Sequence, residues 1–233
     1  MKNNLDRVNE AYYGEMGEYM KSKTIKRINW ILNHVVGEKV LDVGCSQGII
    51  DILLARKGIH VTAVDIEKEA IQYAQKELSK EKQSTREKVE LIHANYLHYD
   101  VNRKFNCILL TEILEHFEES SLIIKKVYKM LSNGGRVIVT IPFGINEHPG
   151  HLRTLYLAEL YKELYPYMNI QKVEMIESWI GLICERKIEV EEYVDVSIPI
   201  KLVEEIEKGF FKKERKLLDQ LNYQKKLNDS KET

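Results

Sequence analysis

Glu112, Glu115 and His116 stand at i, i+3 and i+4 in the segment Thr111-Glu112-Ile113-Leu114-Glu115-His116-Phe117. On a helix these three side chains share one face. Two carboxylates and an imidazole on one face can hold a hard or borderline divalent cation such as Mg²⁺ or Mn²⁺. Two other roles fit the same residues: His116 as a metal-free general base, or all three as positioning groups. A second polar cluster, Asn146-Glu147-His148-Pro149-Gly150-His151-Leu152-Arg153, follows a later apolar run and offers His148 or His151 as a fourth ligand. The candidate metal set is therefore Glu112, Glu115, His116 and His151, and the catalytic candidates are His116, Glu112 and Glu115. Arg153 suits an acidic substrate group or a surface ion pair equally well.

A second chemistry-bearing stretch is Lys39-Val40-Leu41-Asp42-Val43-Gly44-Cys45-Ser46-Gln47-Gly48. An apolar run ends in an acid and a glycine, a turn of small residues follows, and Ile49-Ile50-Asp51-Ile52-Leu53-Leu54-Ala55 reads as a helix. Strand, tight turn and helix together bring backbone close to a nucleotide-like ligand. The pattern is Asp-x-Gly-x-Ser-x-Gly. A dinucleotide fingerprint would need glycines at 46 and 49, where this chain has Ser46 and Ile49, so a nicotinamide-type oxidoreductase is disfavoured. A second apolar run, Ile59-His60-Val61-Thr62-Ala63-Val64, ends in Asp65, and an ionised carboxylate can accept both hydroxyl protons of a cis-diol.

Hydrophobic periodicity supplies the elements that must position these groups. Strands are expected near 39–43, 59–64, 88–93, 105–111, 135–141, 171–177 and 181–187, and helices near 47–57, 67–80, 118–131 and 154–165. Such alternation implies an α/β fold with a mostly parallel sheet and helices on both faces. Asn133-Gly134-Gly135 marks a turn into the fifth strand, and the short Ser178-Trp179-Ile180 link makes the last two strands an antiparallel hairpin. Residues 80–88 read as a charged loop. Trp179 reads as core or edge packing. Residues 4–36 read as helical with breaks at Gly14 and Gly17, and the segment from about 198 as a charged helix with an imperfect apolar stripe. That last helix can pack back on the domain, pair with a second copy in a homodimer, or lead into further chain. The division expected is a helical cap over 1–36, a ligand-binding domain over 37–190 and a helical extension over 191–233.

Taken in order, these segments resemble class I S-adenosylmethionine (SAM) methyltransferases, with serine in place of the middle glycine of the first motif. The resemblance covers roughly residues 25–188. It implies a Rossmann-like, doubly wound sheet of seven strands in the order 3-2-1-4-5-7-6, with the last strand antiparallel. It also implies cofactor contacts from Asp42, Gly44, Cys45, Ser46, Gly48, Asp65, Ile66, Asn95, Tyr96, Thr111 and Glu112. Asp65 would take the ribose hydroxyls, Ile66 would cover an adenine face, and Asn95 would receive the adenine amino group, where an acid is usual. Asp42 would meet the SAM amino group through water or hold the turn. In this family N-terminal helices often close over the cofactor, which makes Tyr12 and Tyr13 pocket candidates beside their plainer packing role. The Glu-x-x-Glu-His segment is similar to that of small-RNA 2′-O-methyltransferases and ubiquinone-pathway catechol O-methyltransferases. In the RNA enzymes the acids, the histidine and a later histidine bind a metal. This chain departs from them in having Arg153-Thr154-Leu155-Tyr156 after that later histidine. Residues 140–151 are similar to bacterial methyltransferases of polysaccharide gene sets, which favours a sugar or glycan hydroxyl as acceptor.

Composition narrows the partners. The 233 residues carry a formal charge of −1, with 44% hydrophobic and 30% charged residues. No bulk field draws the chain to nucleic acid, so RNA is disfavoured relative to a small-molecule or glycan acceptor. The three cysteines are scattered and lack zinc spacing. No apolar run reaches the about 18–20 residues of a membrane span and no leader pattern opens the chain, so a cytoplasmic enzyme is expected, with a cofactor-free interaction module as the non-enzyme alternative.

Overall fold

The computed structural model describes residues 7–99, 103–144, 150–190 and 200–229. Seven strands, β1 (Lys39–Val43), β2 (His60–Asp65), β3 (Val89–His93), β4 (Phe105–Thr111), β5 (Leu131–Pro142), β6 (Met168–Ile176) and β7 (Trp179–Arg186), form one sheet. The helices are α1 (Val8–Tyr13), α2 (Glu18–His34), α3 (Ile49–Arg56), α4 (Lys68–Ser79), α5 (Gln83–Arg86), α6 (Ser121–Met130), α7 (Leu157–Leu164) and α8 (Ile200–Asp229). The strand order is β3-β2-β1-β4-β5-β7-β6, the order expected. Strands β1 to β5 run parallel, and β7 is antiparallel to both β5 and β6.

Period-two alternation explains which face each residue serves. Leu41, Val43, Ile108, Leu110, Val137 and Val139 point to one face, where Ile123, Ile124 and Val127 of α6 and Leu157, Leu160 and Leu164 of α7 cover them. Val40, Cys107, Leu109 and Ile138 point to the other, against Ile28 and Ile31 of α2 and Ile49, Ile50 and Leu54 of α3. Burying a side chain of this size stabilises by about 1.5–3 kcal/mol, so both faces hold the strand ends in fixed register. Asp42 lies between Leu41 and Val43, and the same alternation therefore sends its carboxyl to the α2–α3 side.

Several boundaries differ from those the sequence suggests. The fifth strand begins at Leu131, and Asn133-Gly134-Gly135 lies inside it: the β4 register jumps from Phe105↔Leu131 to Cys107↔Arg136, which makes the glycines a bulge within the strand. Residues 80–88 contain the single turn α5, anchored by the buried Thr85. The Glu112–His116 stretch is not an α-helix. Only Leu114–His116 forms a 3₁₀ turn, because Glu112 has φ +56°, a left-handed conformation from which a right-handed helix cannot start. His148 lies outside the described residues. The charged C-terminal helix is present and docks on β6. Its outer half leaves Leu217, Leu218 and Leu221 exposed, the side on which a second copy would have to pack. Among the described residues no helix is long and apolar enough to cross a membrane.

Candidate functional site

The turn after β1 depends on three left-handed residues: Gly44 at φ +76°, Ser46 at φ +48° and Gly48 at φ +78°. A Cβ on Gly44 would lie 2.7 Å from Ile113 Cδ1, so glycine is required there for space as well as conformation. The turn is tied to β2 by backbone and by one side chain. Gly44 N and Cys45 N donate to Val64 O at 2.8 and 3.2 Å. Ser46 N donates to Asp65 Oδ2 at 2.7 Å, and Glu67 N donates to Asp65 Oδ1 at 2.8 Å. Asp65 is therefore held rigidly at the strand end, and an ionised carboxylate has acceptor capacity beyond these two bonds.

Asp42 and Asp51 form a pair that is wholly buried. Burial raises both carboxyls, Asp42 to about 7 and Asp51 well above its ordinary value. Burial opposes ionisation of both, and the neighbouring charge of Asp42 raises Asp51 further. The charge of Asp65 pushes both further up. Cys45 beside them has its thiol raised, chiefly by burial and then by Asp51 and Asp42, which makes it a packing residue and not a nucleophile. Asp51 is a site residue that motif reasoning misses. Its signal is an acid set inside the apolar run Ile49-Ile50-Asp51-Ile52-Leu53-Leu54.

The Glu112–His116 segment splits in two. Glu112 turns toward β7 and α2: its Oε2 accepts from Trp179 Nε1 at 2.6 Å, and its Oε1 accepts from Thr140 Oγ1 at 3.3 Å and lies 3.4 Å from Arg27 Nη1. It does not join the other acid. The donor atoms of Glu115, His116 and His151 instead gather within 4.8 Å of one another. His116 Nδ1 lies 2.8 Å from Gly150 O. A carbonyl can only accept, so Nδ1 carries the proton and the lone pair of the neutral ring sits on Nε2. The His116 and His151 rings meet edge to face at 4.9 Å. Glu115 is buried, and its backbone carbonyl accepts from Leu152 N at 3.0 Å, which fastens the His151 loop to the 3₁₀ turn. Glu115 and His151 also border a cavity of about 10 Å³, room for one water-sized species.

These parts open on a cleft of about 350 Å³. Asp42, Gly44, Cys45, Ser46, Gly48, Thr111, Glu112, His116 and His151 line it, together with Arg7, Val8 and Ala11 from the N-terminal helix, Arg27 from α2, and Trp179. Other expected residues lie elsewhere. Asp65 and the exposed Ile66 stand at the end of β2, outside this lining. Asn95 caps the next turn by accepting from Leu97 N at 2.9 Å. Tyr96 points into the core, with its hydroxyl 3.4 Å from Met130 Sδ and its ionisation pushed up by burial, so its side chain is no cleft contact. Tyr12 packs on the core, Tyr13 is exposed, and neither lines the cleft. Arg153 forms a two-bond pair with Glu163 at 2.7 and 3.0 Å, the surface role and not the substrate role. Trp179 is a site wall and not plain packing. Neither Trp179 nor Arg27 carries a local motif, so only the fold brings them to Glu112.

Residues 34–197 match a family described as "Methyltransferase domain". Over 143 residues the chain is 32% identical to proteins named ubiquinone biosynthesis O-methyltransferase from Pseudomonas putida and Pseudomonas entomophila. The match spans 60% of this chain and only 60% of those relatives' length. Among solved structures, a glycopeptide N-methyltransferase, MtfA, complexed with S-adenosyl-L-homocysteine superposes with TM-score 0.59 at 12% identity, covering 70% of this chain and 89% of that one. Magnesium protoporphyrin IX methyltransferase from Synechocystis with bound SAM gives 0.61 at 16% identity over 80% and 87%. The [4+2]-cyclase SpnF gives 0.65 at 14% identity over 74% and 83%. These three likenesses establish the fold.

Ser46→Gly should raise stability by up to about 1 kcal/mol, since a non-glycine residue in the left-handed region costs about 1–2 kcal/mol and the more flexible unfolded glycine chain offsets part of the gain. Urea denaturation reads this directly, and a destabilised variant would mean that the serine side chain contributes more than its backbone strain costs. The buried acid pair generates a pH prediction. A carboxyl whose folded pKa is raised contributes stability below its ordinary pKa, and that stability is lost as pH rises through the folded value, here about 7 for Asp42. Asp51→Asn removes the second raised carboxyl beside Asp42. The stability of the variant relative to the parent should therefore grow as pH rises from the ordinary carboxylate range through about 7. Parallel stability–pH curves would show that Asp51 is not raised in the folded protein.

Proposed function

The chain belongs to the methyltransferase-domain family, and on that premise we propose that it is a SAM-dependent O-methyltransferase acting on a hydroxyl of a small, sugar- or glycan-type acceptor. The observation that carries the reading is the left-handed turn Gly44–Gly48, which lines the cleft beside Asp42 and is tied to Asp65 at the end of β2, with His116 and His151 on the cleft wall. Bound SAM supplies an electrophilic methyl group on a sulfonium, so the protein need not activate the methyl. The residues present fit SAM. Its ammonium and sulfonium are cations, and the carboxylate of Asp65 and the acceptor oxygens of Asp42 face the turn that would hold them. Asp65 offers acceptor sites for a ribose diol, and Gly44 and Gly48 leave backbone exposed to close approach.

The acceptor side falls to His116. The Gly150 carbonyl fixes the tautomer that keeps Nε2 basic, which suits removal of a hydroxyl proton. Glu112 braces Trp179 and Arg27 and so shapes the wall opposite. The similarity to ubiquinone-biosynthesis O-methyltransferases supports oxygen as the methylated atom. A divalent metal also fits: Glu115, His116 and His151 would hold it, and when bound it would lower the pKa of the acceptor hydroxyl. With Glu112 turned away, the donor set is two imidazoles and one carboxylate. That set suits Mn²⁺ or another borderline cation better than Mg²⁺, which prefers an all-oxygen shell.

Asp65→Ala should lose about 2–4 kcal/mol of SAM affinity through two lost charge-assisted hydrogen bonds while staying folded by circular dichroism. Asp65→Asn, which still accepts one bond, should fall between. Calorimetry that finds the parent binding NAD and not SAM would sink the cofactor assignment. A methyl-transfer screen with labelled SAM, run with and without chelator, separates the two acceptor mechanisms. Activity lost in chelator and restored by Mn²⁺ assigns the metal. Activity indifferent to chelator and lost in His116→Ala assigns the base. An active His116→Ala protein would exclude both.

A further inference from the structure

Around Tyr19 and the cleft-lining Trp179, cations gather from two separate elements. On α2, Lys23 Nζ lies 4.9 Å from the Trp179 ring centre and 5.3 Å from that of Tyr19, and Arg27 stacks on Trp179 at 4.7 Å. On α8, Lys216 Nζ lies 3.0 Å from Tyr19 Oη and over its ring at 5.3 Å. The helix is held there by Phe210, whose ring packs on Phe143 at 4.8 Å, and by Lys213 Nζ, which donates to Phe143 O at 2.7 Å. Lys212 of the same helix acts on Glu177 at the β6–β7 turn. Two acids face this group. Glu177 pairs with Lys26, and Glu112 is engaged by Arg27 and Trp179. Among the described residues no carboxylate forms an ion pair with Lys23, Lys212 or Lys216.

Bringing ammonium groups together costs free energy unless an anion compensates them. Lys23 shows the strain: burial lowers its pKa, and Lys216 and Arg27 lower it further, against the raising effects of Tyr19 and Glu177. The lysines hold Tyr19 below the usual phenol range, Lys216 through its hydrogen bond first and Lys23 next. In a chain of net charge −1 this local excess is not a general property of the surface. Lys23 and Lys212 share at longer range only the charge of Glu177, which Lys26 already pairs, so cation exceeds acid here, and compact lysine charges suit a multivalent phosphoryl group.

We propose that Lys23 and Lys216, with Lys212 beside them, bind a phosphoryl or diphosphoryl group carried by the methyl acceptor, so that the acceptor is a phosphorylated sugar-type compound. The inference rests on reading the adjoining cleft as the methyl-transfer site. The acceptor hydroxyl would face His116, while its phosphoryl group lies at the Trp179 rim, since His116, Arg27 and Trp179 line one cleft.

Inorganic pyrophosphate is the probe, titrated by calorimetry into the full chain both saturated with S-adenosylhomocysteine and without it. Binding is expected, weaker at higher salt, and Lys23→Gln and Lys216→Gln should each weaken it about tenfold. Lys21→Gln, on the same helix but 3.5 Å from Glu18, should leave it unchanged. The exposed Lys216 keeps the test valid if Lys23→Gln disturbs packing. No heat from pyrophosphate, or equal affinity in both variants, overturns the inference. So does citrate binding as tightly as pyrophosphate, which would assign a carboxylate acceptor, and so does a short oligoribonucleotide binding far more tightly with the same lysine dependence. S-adenosylhomocysteine binding without pyrophosphate binding removes this inference and leaves the methyltransferase reading standing. Pyrophosphate binding on a chain that rejects S-adenosylhomocysteine supports the anion site and removes that reading.

Discussion

A carboxylate taken out of water must be compensated, and the way this chain compensates five of them organises everything around its cleft. Asp65 takes two backbone N–H donors and in doing so cinches the turn after β1 onto β2. Asp42 and Asp51 are relieved by protonation, since burial pushes both carboxyls up. Glu112 takes an indole N–H, a threonine hydroxyl and a guanidinium from three other elements. Glu115 is buried beside two imidazoles. Each solution is different, and each fixes a separate piece of the wall.

The N-terminal helices belong to this arrangement. Asn9 N donates to Gln47 Oε1 at 2.8 Å, so α1 is latched to the turn itself, and both residues are buried. Arg27, nearly buried on α2, reaches Glu112 and stacks on Trp179. The cap, the turn and the last hairpin are thus coupled through polar contacts. A change at the β6–β7 turn would be felt at the floor of the cleft through Trp179 and Glu112.

The fold by itself does not choose the reaction. A cyclase and two methyltransferases superpose on this chain about equally well. What distinguishes this chain lies in side chains from the cap, the His151 loop, the last hairpin and α8, the parts beyond the strand ends. Those parts bring together an imidazole with a defined tautomer, a second histidine with a buried acid beside it, and a group of lysines around Tyr19 and Trp179.

The strands, their mostly parallel order and the ligand-binding turn were legible in the sequence because their signals are local. Apolar runs end in Asp42 and Asp65, and glycines fall where backbone must turn left-handed. At Ser46 that signal is imperfect, and the structure shows serine adopting the conformation that glycine would take more cheaply. The grouping of acids was not legible. Spacing put Glu112, Glu115 and His116 on one helical face, and a single positive φ at Glu112 sent its side chain to the opposite wall. That angle is held by contacts with Thr140, Trp179 and Arg27, which lie 28, 67 and 85 positions away along the chain. No local pattern encodes such contacts. The sequence alone determined which elements exist and where the chain turns left-handed after β1. Tertiary packing decided which charges face one another, because compensation of a buried charge depends on distance in space and not on distance along the chain.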